Sequence, residues 1–183
     1  TATTVTLPLL GGLLVWKWRR SWAWALIILP LALKFYGEYW EPNRLEVERV
    51  QVPLAGLRET VRVVHLSDLQ TDAVGELQLR ARAAANEFDP HLLLFTGDIL
   101  NHPSLEPAVQ EYLRGYRARA GAFFVSGDVD GIRDLRGFLS GAGFELLDAE
   151  ARVVELGGAR LGILGLGLME YQDRVLLSEL VRR

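Results

Sequence analysis

The chain has 183 residues, half of them hydrophobic, and a formal net charge of −3. This length suits one domain of moderate size plus an additional apolar segment. The lack of cysteine excludes disulfides and thiolate metal sites. Cysteine content therefore does not indicate whether the protein resides in a reducing or an oxidising compartment.

The first forty residues differ from the rest of the chain in charge and aromatic content. All five tryptophans lie there, and the segment carries a charge of +3, which leaves −6 for residues 41–183. This acidic remainder argues against a nucleic-acid partner, because nucleic-acid binding requires a basic face.

Two uncharged runs, residues 1–16 and 21–33, flank a basic cluster at 17–20. Each is shorter than the roughly 20 residues of a membrane-spanning helix. The first can continue upstream, since we expect the chain to be a fragment cut at both ends. The second can reach Trp40 if Lys34 extends toward the lipid headgroups. We therefore expect residues 1–40 to form a membrane anchor of one or two transmembrane helices.

A signal peptide is the alternative interpretation of this segment, because an apolar run follows a basic cluster. No small-residue cleavage site follows that run, however, since "KFYGEYWEPNR" is bulky and aromatic. If the basic cluster stays in the cytoplasm, the residues after Trp40 emerge on the extracytoplasmic side.

Residues 41–183 have the pattern of an α/β domain. Residues 45–53 alternate apolar and polar, which predicts a half-exposed strand. Residues 61–68 are nearly continuously apolar, which predicts a strand buried on both faces. Residues 75–88 have helical spacing, with Leu77, Leu79, Ala83 and Phe88 as its apolar positions.

The later elements alternate in the same way. The sequence predicts strands within 91–98, 121–131, 144–148, 151–156 and 159–168, and helices at 106–118, at 132–143 and from about Asp173. Because strand and helix alternate three times, we expect a mainly parallel sheet.

Three successive predicted strands finish in acidic turns, "SDLQ", "TGDILN" and "SGDVDG". The carboxyl ends of parallel strands share one edge of a sheet, so we expect Asp68, Asp98 and Asp128 to converge there. Gly97 and Gly127 directly precede two of these acids, where a tight turn can direct the side chain. Carboxylates that lie close together repel each other unless a cation binds them, and oxygen ligands suit Mn²⁺, Mg²⁺ or iron.

Each aspartate alone has a simpler explanation, because an Asp after a strand commonly caps the next helix. Three such acids in succession, two of them in Gly-Asp pairs, favour a shared metal site over three separate caps.

The order and spacing of these segments resemble the calcineurin-like metallophosphoesterase family, in particular its membrane-anchored bacterial branch. The resemblance rests on "HLSDLQ", "FDPHLLLFTGDILN" and "FFVSGDVDG" and covers residues 41 to 168. It implies a sandwich of two mixed sheets flanked by helices, which this chain would contain incompletely as residues 41–183. It also implies two metal ions about 3.5–4 Å apart that clamp a phosphate ester for attack by a bridging hydroxide.

The resemblance assigns metal-binding roles to particular positions. Asp68 would bind the first ion, Asp98 would bridge both ions, and Asp128 would occupy the place of the family's asparagine ligand. Gln70 stands where the family has a histidine ligand, and an amide oxygen is a poorer donor than imidazole for Zn²⁺ or iron. The metal ligands implied are therefore Asp68, Gln70, Asp98 and Asp128. The cofactor implied is a pair of divalent ions, with Mn²⁺ preferred and iron, Zn²⁺ or Mg²⁺ as alternatives.

A second departure concerns catalysis. Val129 replaces the family histidine that protonates the leaving group or stabilises the transition state, although Asp130 keeps the final acid of that motif. No catalytic residue is therefore assigned.

The family's two later histidine motifs, the last of them Gly-His-x-His, do not occur in these 183 residues. We expect the site of this chain alone to bind metal weakly and to show no appreciable catalysis. His65 and His91 are expected to point away from the site or to lie at the wrong end of a strand, whereas His102 could approach it.

Three functional hypotheses follow. The first is a membrane-anchored, metal-dependent phosphoesterase of the bacterial cytoplasmic membrane, acting on a phosphodiester or phosphomonoester such as a lipid-linked headgroup. The second is a degenerate relative that binds metal or a phosphate ligand without turnover. The third is a nucleotide-binding or phospho-acceptor domain, which "GLGLME" (165–170) supports only weakly.

Overall fold

The structure is a computed structural model that describes residues 24–26, 28–69, 71–128, 132 and 134–167. The chain divides into two compact units, Thr1–Glu46 and Val47–Arg183. The helix predicted from about Asp173 lies outside the described residues.

The first unit contains an exposed apolar helical segment. Residues 24–26 and 28–35 are α-helical, and a π-helical turn, Tyr36–Trp40, and a 3₁₀ turn, Glu41–Asn43, follow. The large hydrophobic side chains that the structure describes in this segment are all at least about half exposed, namely Trp24, Leu26, Ile28, Leu29, Leu31, Leu33, Phe35, Tyr36, Tyr39 and Trp40. Over the part of the chain that the structure describes, no helix combines the length and apolarity needed to cross a bilayer.

The second unit alternates strands and helices. Its strands are β1 (Val63–Ser67), β2 (Leu92–Thr96), β3 (Ala122–Val125), β4 (Glu145–Leu146), β5 (Glu150–Leu156) and β6 (Ala159–Gly165). Its α-helices are α1 (Glu76–Glu87), α2 (Glu106–Arg114) and α3 (Leu135–Gly141). The alternation confirms the α/β organisation that the sequence predicts.

The strands form two sheets. One is fully parallel in the order β1-β2-β3-β4, and the other is the antiparallel hairpin β5–β6. Each parallel neighbour follows in the chain after a helix, because parallel strands need a long crossover connection. The predicted mainly parallel sheet is therefore confirmed.

Two apolar clusters pack on the two faces of the parallel sheet. On one face, Leu93, Phe95 and Phe124 pack with residues of α2 and α3. On the other face, Leu92 and Phe123 pack with side chains of the β5–β6 hairpin. The central strands β2 and β3 are therefore covered on both sides, which explains their continuous apolar runs.

The amino ends of the first three strands are joined by an ionic cluster. Arg62 precedes β1 and donates to Asp89 Oδ2 at 2.7 Å, and Arg119 precedes β3 and donates from Nε to Asp89 Oδ1 at 2.9 Å. The Arg62 backbone N–H also donates to His91 Nδ1 at 2.9 Å. These contacts lie at the amino ends of the strands, whereas the predicted site lies at their carboxyl ends. They explain the position of His91.

Three predictions from the sequence are wrong in detail. Residues 45–53 form no strand, and Val50 and Val52 are about three-quarters exposed. Strand β1 is not buried on both faces, because it lies at the edge of the sheet and alternates between exposed and half-buried residues.

The apolar face of α1 also differs from the prediction. Leu79, Ala83 and Phe88 are exposed, whereas Ala85 is buried and Leu77 is half-buried. The one fully buried side chain of α1 is the short Ala85, and the longer Arg82 reaches α2, where its Nη1 donates to the Tyr112 carbonyl at 2.9 Å.

Candidate functional site

The three predicted aspartates follow the carboxyl ends of three neighbouring parallel strands. Ser67 of β1 is in register with Thr96 of β2, which is in register with Val125 of β3. Asp68, Asp98 and Asp128 come one, two and three residues after these positions. The topology therefore puts all three at one edge of one sheet.

Asp68 is exposed and has a left-handed backbone conformation, with φ of 51°. Its N–H donates to the Thr96 carbonyl at 3.4 Å, which ties the residue to β2. Ser67 Oγ lies 3.0 Å from the same carbonyl and also contacts Asp68 Oδ2. A left-handed conformation is uncommon outside glycine, and aspartate and asparagine are among the residues that tolerate it best.

Asp98 is the buried member of the group, with 9% of its surface exposed. Gly97 and Asp98 are both left-handed, with φ of 64° and 50°, and the Gly97 N–H donates to the Val125 carbonyl at 2.8 Å. The turn after β2 thus folds across the end of β3.

Gly127 makes this close approach possible. A Cβ atom placed on Gly127 would lie 2.7 Å from the Asp98 backbone nitrogen and would also overlap the Asp98 carboxylate. The two Gly-Asp turns therefore pack directly against each other, which gives a physical reason for both glycines.

Asp128 is exposed and is the last described residue of the β3–α3 loop before the gap at 129–131. The predicted ligand Gln70, and Val129 and Asp130 next to Asp128, lie outside the described residues. The structure therefore places Asp68, Asp98 and Asp128 of the predicted site residues, and it brings Asp98 into contact with the loop that carries Asp128.

The loops after β1 and β2 continue side by side. Thr71 pairs with Leu100 in an isolated parallel bridge, and Asn101 Nδ2 donates to Asp72 Oδ1 at 2.8 Å. His102 Nε2 lies 3.9 Å from the same carboxylate oxygen. His102 therefore contacts the polar loop beyond Asp68.

His65 is exposed on β1, and its Nε2 lies 2.9 Å from Thr96 Oγ1. The prediction of a buried His65 is therefore wrong, for the same reason as for β1 as a whole: one face of this edge strand is uncovered within the described residues.

A fourth carboxylate lies beyond the end of β4. Asp148 Oδ1 accepts from the Ser126 N–H at 2.9 Å, and its Oδ2 accepts from Ser126 Oγ at 2.7 Å. Sequence reasoning missed this residue, because "FELLD" has no glycine before its acid and its partner is 22 residues away. The feature of the sequence that could have identified Asp148 is its position at the end of another predicted strand.

The donor types at this edge suit a hard divalent cation, since carboxylate and amide oxygens are its usual ligands. Among the described residues, however, no three His, Asp or Glu side chains are grouped closely enough to hold a metal ion. Two clefts of the described structure lie elsewhere, one between β3 and β5 and the other between α2 and α3.

Comparison of the chain with protein-family profiles, with curated proteins and with solved structures found no match.

Proposed function

We propose that this protein is a membrane-anchored, metal-dependent phosphoesterase whose second unit is part of a calcineurin-like metallophosphoesterase sandwich. The observation that supports the proposal most is the shared sheet edge: Asp68, Asp98 and Asp128 follow three parallel strands in register. In open α/β sheets, ligands bind outside the carboxyl ends of the strands.

The ligands in this proposal are Asp68, Gln70, Asp98 and Asp128, which would hold two divalent ions, with Mn²⁺ as the preferred metal. When bound, such ions polarise a phosphoryl oxygen and neutralise the charge that develops in the transition state. Burial of Asp98 between two glycine turns limits its motion, and the Ser67 hydroxyl restrains Asp68. The chain thus supplies fixed negative charge at one edge of the sheet, which is the condition for binding a cation between carboxylates.

The proposed substrate is a phosphodiester or phosphomonoester close to a membrane surface, such as a lipid-linked headgroup. The exposed apolar helical segment of the first unit supports attachment to a membrane, because its aromatic and aliphatic side chains are exposed together. The proposed location is the bacterial cytoplasmic membrane, with the second unit on the extracytoplasmic side. The net charge of −6 on residues 41–183 disfavours a nucleic-acid substrate.

The test is hydrolysis of bis-p-nitrophenyl phosphate and p-nitrophenyl phosphate by the full-length protein with Mn²⁺, across about pH 6–9. We expect turnover that Asp98→Asn reduces by at least about a hundredfold, because the variant removes a charge from the metal site. Glu155→Gln is the matched control, since it removes one exposed carboxylate from β5 and should leave the rate unchanged. Failure of the unmodified protein to cleave either ester would contradict the proposal.

The second candidate function is binding of a metal or phosphate ligand without turnover. Gln70 and Val129 favour it, because each stands where the resembled family has a histidine. The double variant Gln70→His/Val129→His separates the two candidates in the full-length protein. An inactive natural protein and an active double variant would identify a binding module, whereas an active natural protein would identify an enzyme.

A further inference from the structure

Asp148 connects the end of β4 to the loop that carries Asp128. Both oxygens of its carboxylate accept hydrogen bonds from Ser126, one from the backbone N–H at 2.9 Å and one from the hydroxyl at 2.7 Å. Ser126 is the first residue after β3 and lies two residues before Asp128. The contact therefore fixes the start of the loop with both a backbone and a side-chain hydrogen bond.

The residues on both sides of Asp148 hold it in place. Leu147 is buried and donates its N–H to the Phe124 carbonyl at 2.8 Å, which continues the pairing of β4 with β3. Gly165 of β6 packs so closely on Leu147 that an added Cβ would lie 2.8 Å from the Leu147 carbonyl carbon. Ala149 has a left-handed φ of 52°, which is costly for alanine and is retained only where the surroundings fix it.

The restraint extends from Ser126 to the predicted ligands. Gly127 directly follows Ser126 and packs against Asp98, and the Gly97 N–H donates to the Val125 carbonyl at 2.8 Å. A shift of Ser126 would therefore move the surface on which Asp98 rests, and it would also move the start of the segment that carries Asp128.

We propose that Asp148 is a positioning residue that holds the Ser126–Asp128 loop so that Asp98 and Asp128 present their carboxylates to a shared cation. This inference rests on the proposed function and adds a residue to it. Asp148 itself does not touch substrate or metal in this account. It acts through Ser126, as residues that orient metal ligands commonly do, and loss of such a residue costs about 10–100-fold in metal affinity or activity.

The experiment compares Asp148→Asn and Ser126→Ala in the full-length protein. The first variant keeps the shape of the side chain but offers only one acceptor oxygen, and the second keeps only the backbone hydrogen bond. Three quantities are measured: Mn²⁺ affinity by calorimetry, kcat and KM for bis-p-nitrophenyl phosphate, and hydrogen exchange of the Ser126 amide. Glu155→Gln controls for the lost charge, and Ser140→Ala, an exposed site on α3, controls for the lost hydroxyl.

We expect Asp148→Asn to lower Mn²⁺ affinity and kcat by about 10–100-fold with little change in KM, and Ser126→Ala to have a smaller effect of the same kind. The effects on kcat should be non-additive in the double variant, because the two residues act through one contact. Exchange of the Ser126 amide should accelerate in Asp148→Asn, while that of Phe124 within β3 should not.

The outcomes separate this inference from the proposed function. An active protein in which Asp148→Asn matches the unmodified protein in Mn²⁺ affinity and kcat would overturn the positioning role and leave the phosphoesterase intact. Equal losses in Glu155→Gln would also overturn it, because they would show a general charge effect. A protein that neither binds Mn²⁺ nor cleaves the ester would overturn the phosphoesterase, and the positioning role would fall with it.

Discussion

Gly127 determines how closely the turns after β2 and β3 approach each other. A methyl group at this position would overlap the Asp98 carboxylate. Its carbon would also lie 2.7 Å from the Asp98 backbone nitrogen. We therefore expect Gly127→Ala to destabilise the fold by about 1–3 kcal/mol, the usual cost of overpacking, and to lower activity by displacing Asp98. Urea denaturation and Mn²⁺-dependent ester hydrolysis measure the two effects.

The matched control is Gly162→Ala in β6. A Cβ atom at Gly162 meets nothing within 4 Å, so this variant should leave both stability and activity close to those of the unmodified protein. Equal stability of Gly127→Ala and Gly162→Ala would contradict the packing described for the two turns.

The backbone conformations of Asp68 and Asp98 show a limit of prediction at single residues. The Gly-Asp pairs predicted a tight turn, and Gly97 is indeed left-handed. The residue type permits the left-handed conformation of the aspartates but does not require it. That conformation also depends on hydrogen bonds across strands, such as that from Asp68 N–H to the Thr96 carbonyl.

At the scale of elements, the sequence predicted β1 to β6 and α1 to α3 because each has a clear apolar period or run. It failed at residues 45–53, where alternation alone predicted a strand. A strand needs a hydrogen-bonded neighbour, and the described residues provide none for this segment. It also failed on the burial of β1, because the same apolar run fits a central or an edge strand, and only the strand order distinguishes them.

A pair of tyrosines, Tyr112 of α2 and Tyr116 shortly after it, contacts α1 through Tyr112. We expect this pair to lower the stability of the fold at alkaline pH. Tyr112 Oη donates to the Gln78 carbonyl at 2.9 Å and lies 2.5 Å from Tyr116 Oη. Burial raises the pKa of Tyr116 above its ordinary value of 10.0, and the neighbouring Tyr112 raises it further. Burial also raises the pKa of Tyr112, against the opposing effects of Tyr116 and Arg82.

The sign of the pH effect follows from these raised pKa values. The folded protein keeps both phenols protonated at pH values where the unfolded chain ionises them, so their stabilising contribution is complete below about pH 10 and is lost at higher pH. We expect the melting temperature to fall as the pH rises above about 10, and to fall less steeply in Tyr116→Phe. Parallel pH curves for the variant and the unmodified protein would contradict this account.

At the scale of the whole molecule, the tryptophans offer a selective probe of membrane attachment. All five lie in residues 1–40, so intrinsic tryptophan fluorescence reports on that segment alone. We expect vesicles of anionic and zwitterionic phospholipid to shift the emission to the blue and to protect it from aqueous acrylamide, because Trp side chains settle at the headgroup level. Brominated lipids should quench the same emission. Unchanged emission and quenching in the presence of vesicles would contradict membrane attachment.

The candidate site could be predicted only in part. The sequence identified three acids after successive strands, and the parallel register places them at one edge. It did not identify Asp148, whose contact with Ser126 depends on how β4 pairs with β3 and on how β6 covers Leu147. Local patterns identify the residues at strand ends, whereas the contacts between those ends arise from the packing of the whole unit.

The most direct test of the central claim is the position of Mn²⁺ in a crystal structure of the full-length protein, located by its anomalous scattering. The proposal predicts a peak at the carboxyl edge of the parallel sheet, in direct contact with the carboxylates of Asp68 and Asp98, and a second peak in contact with Asp98 and Asp128. Mn²⁺ bound at another edge, or carboxylates of these three residues too far apart to share an ion, would contradict it.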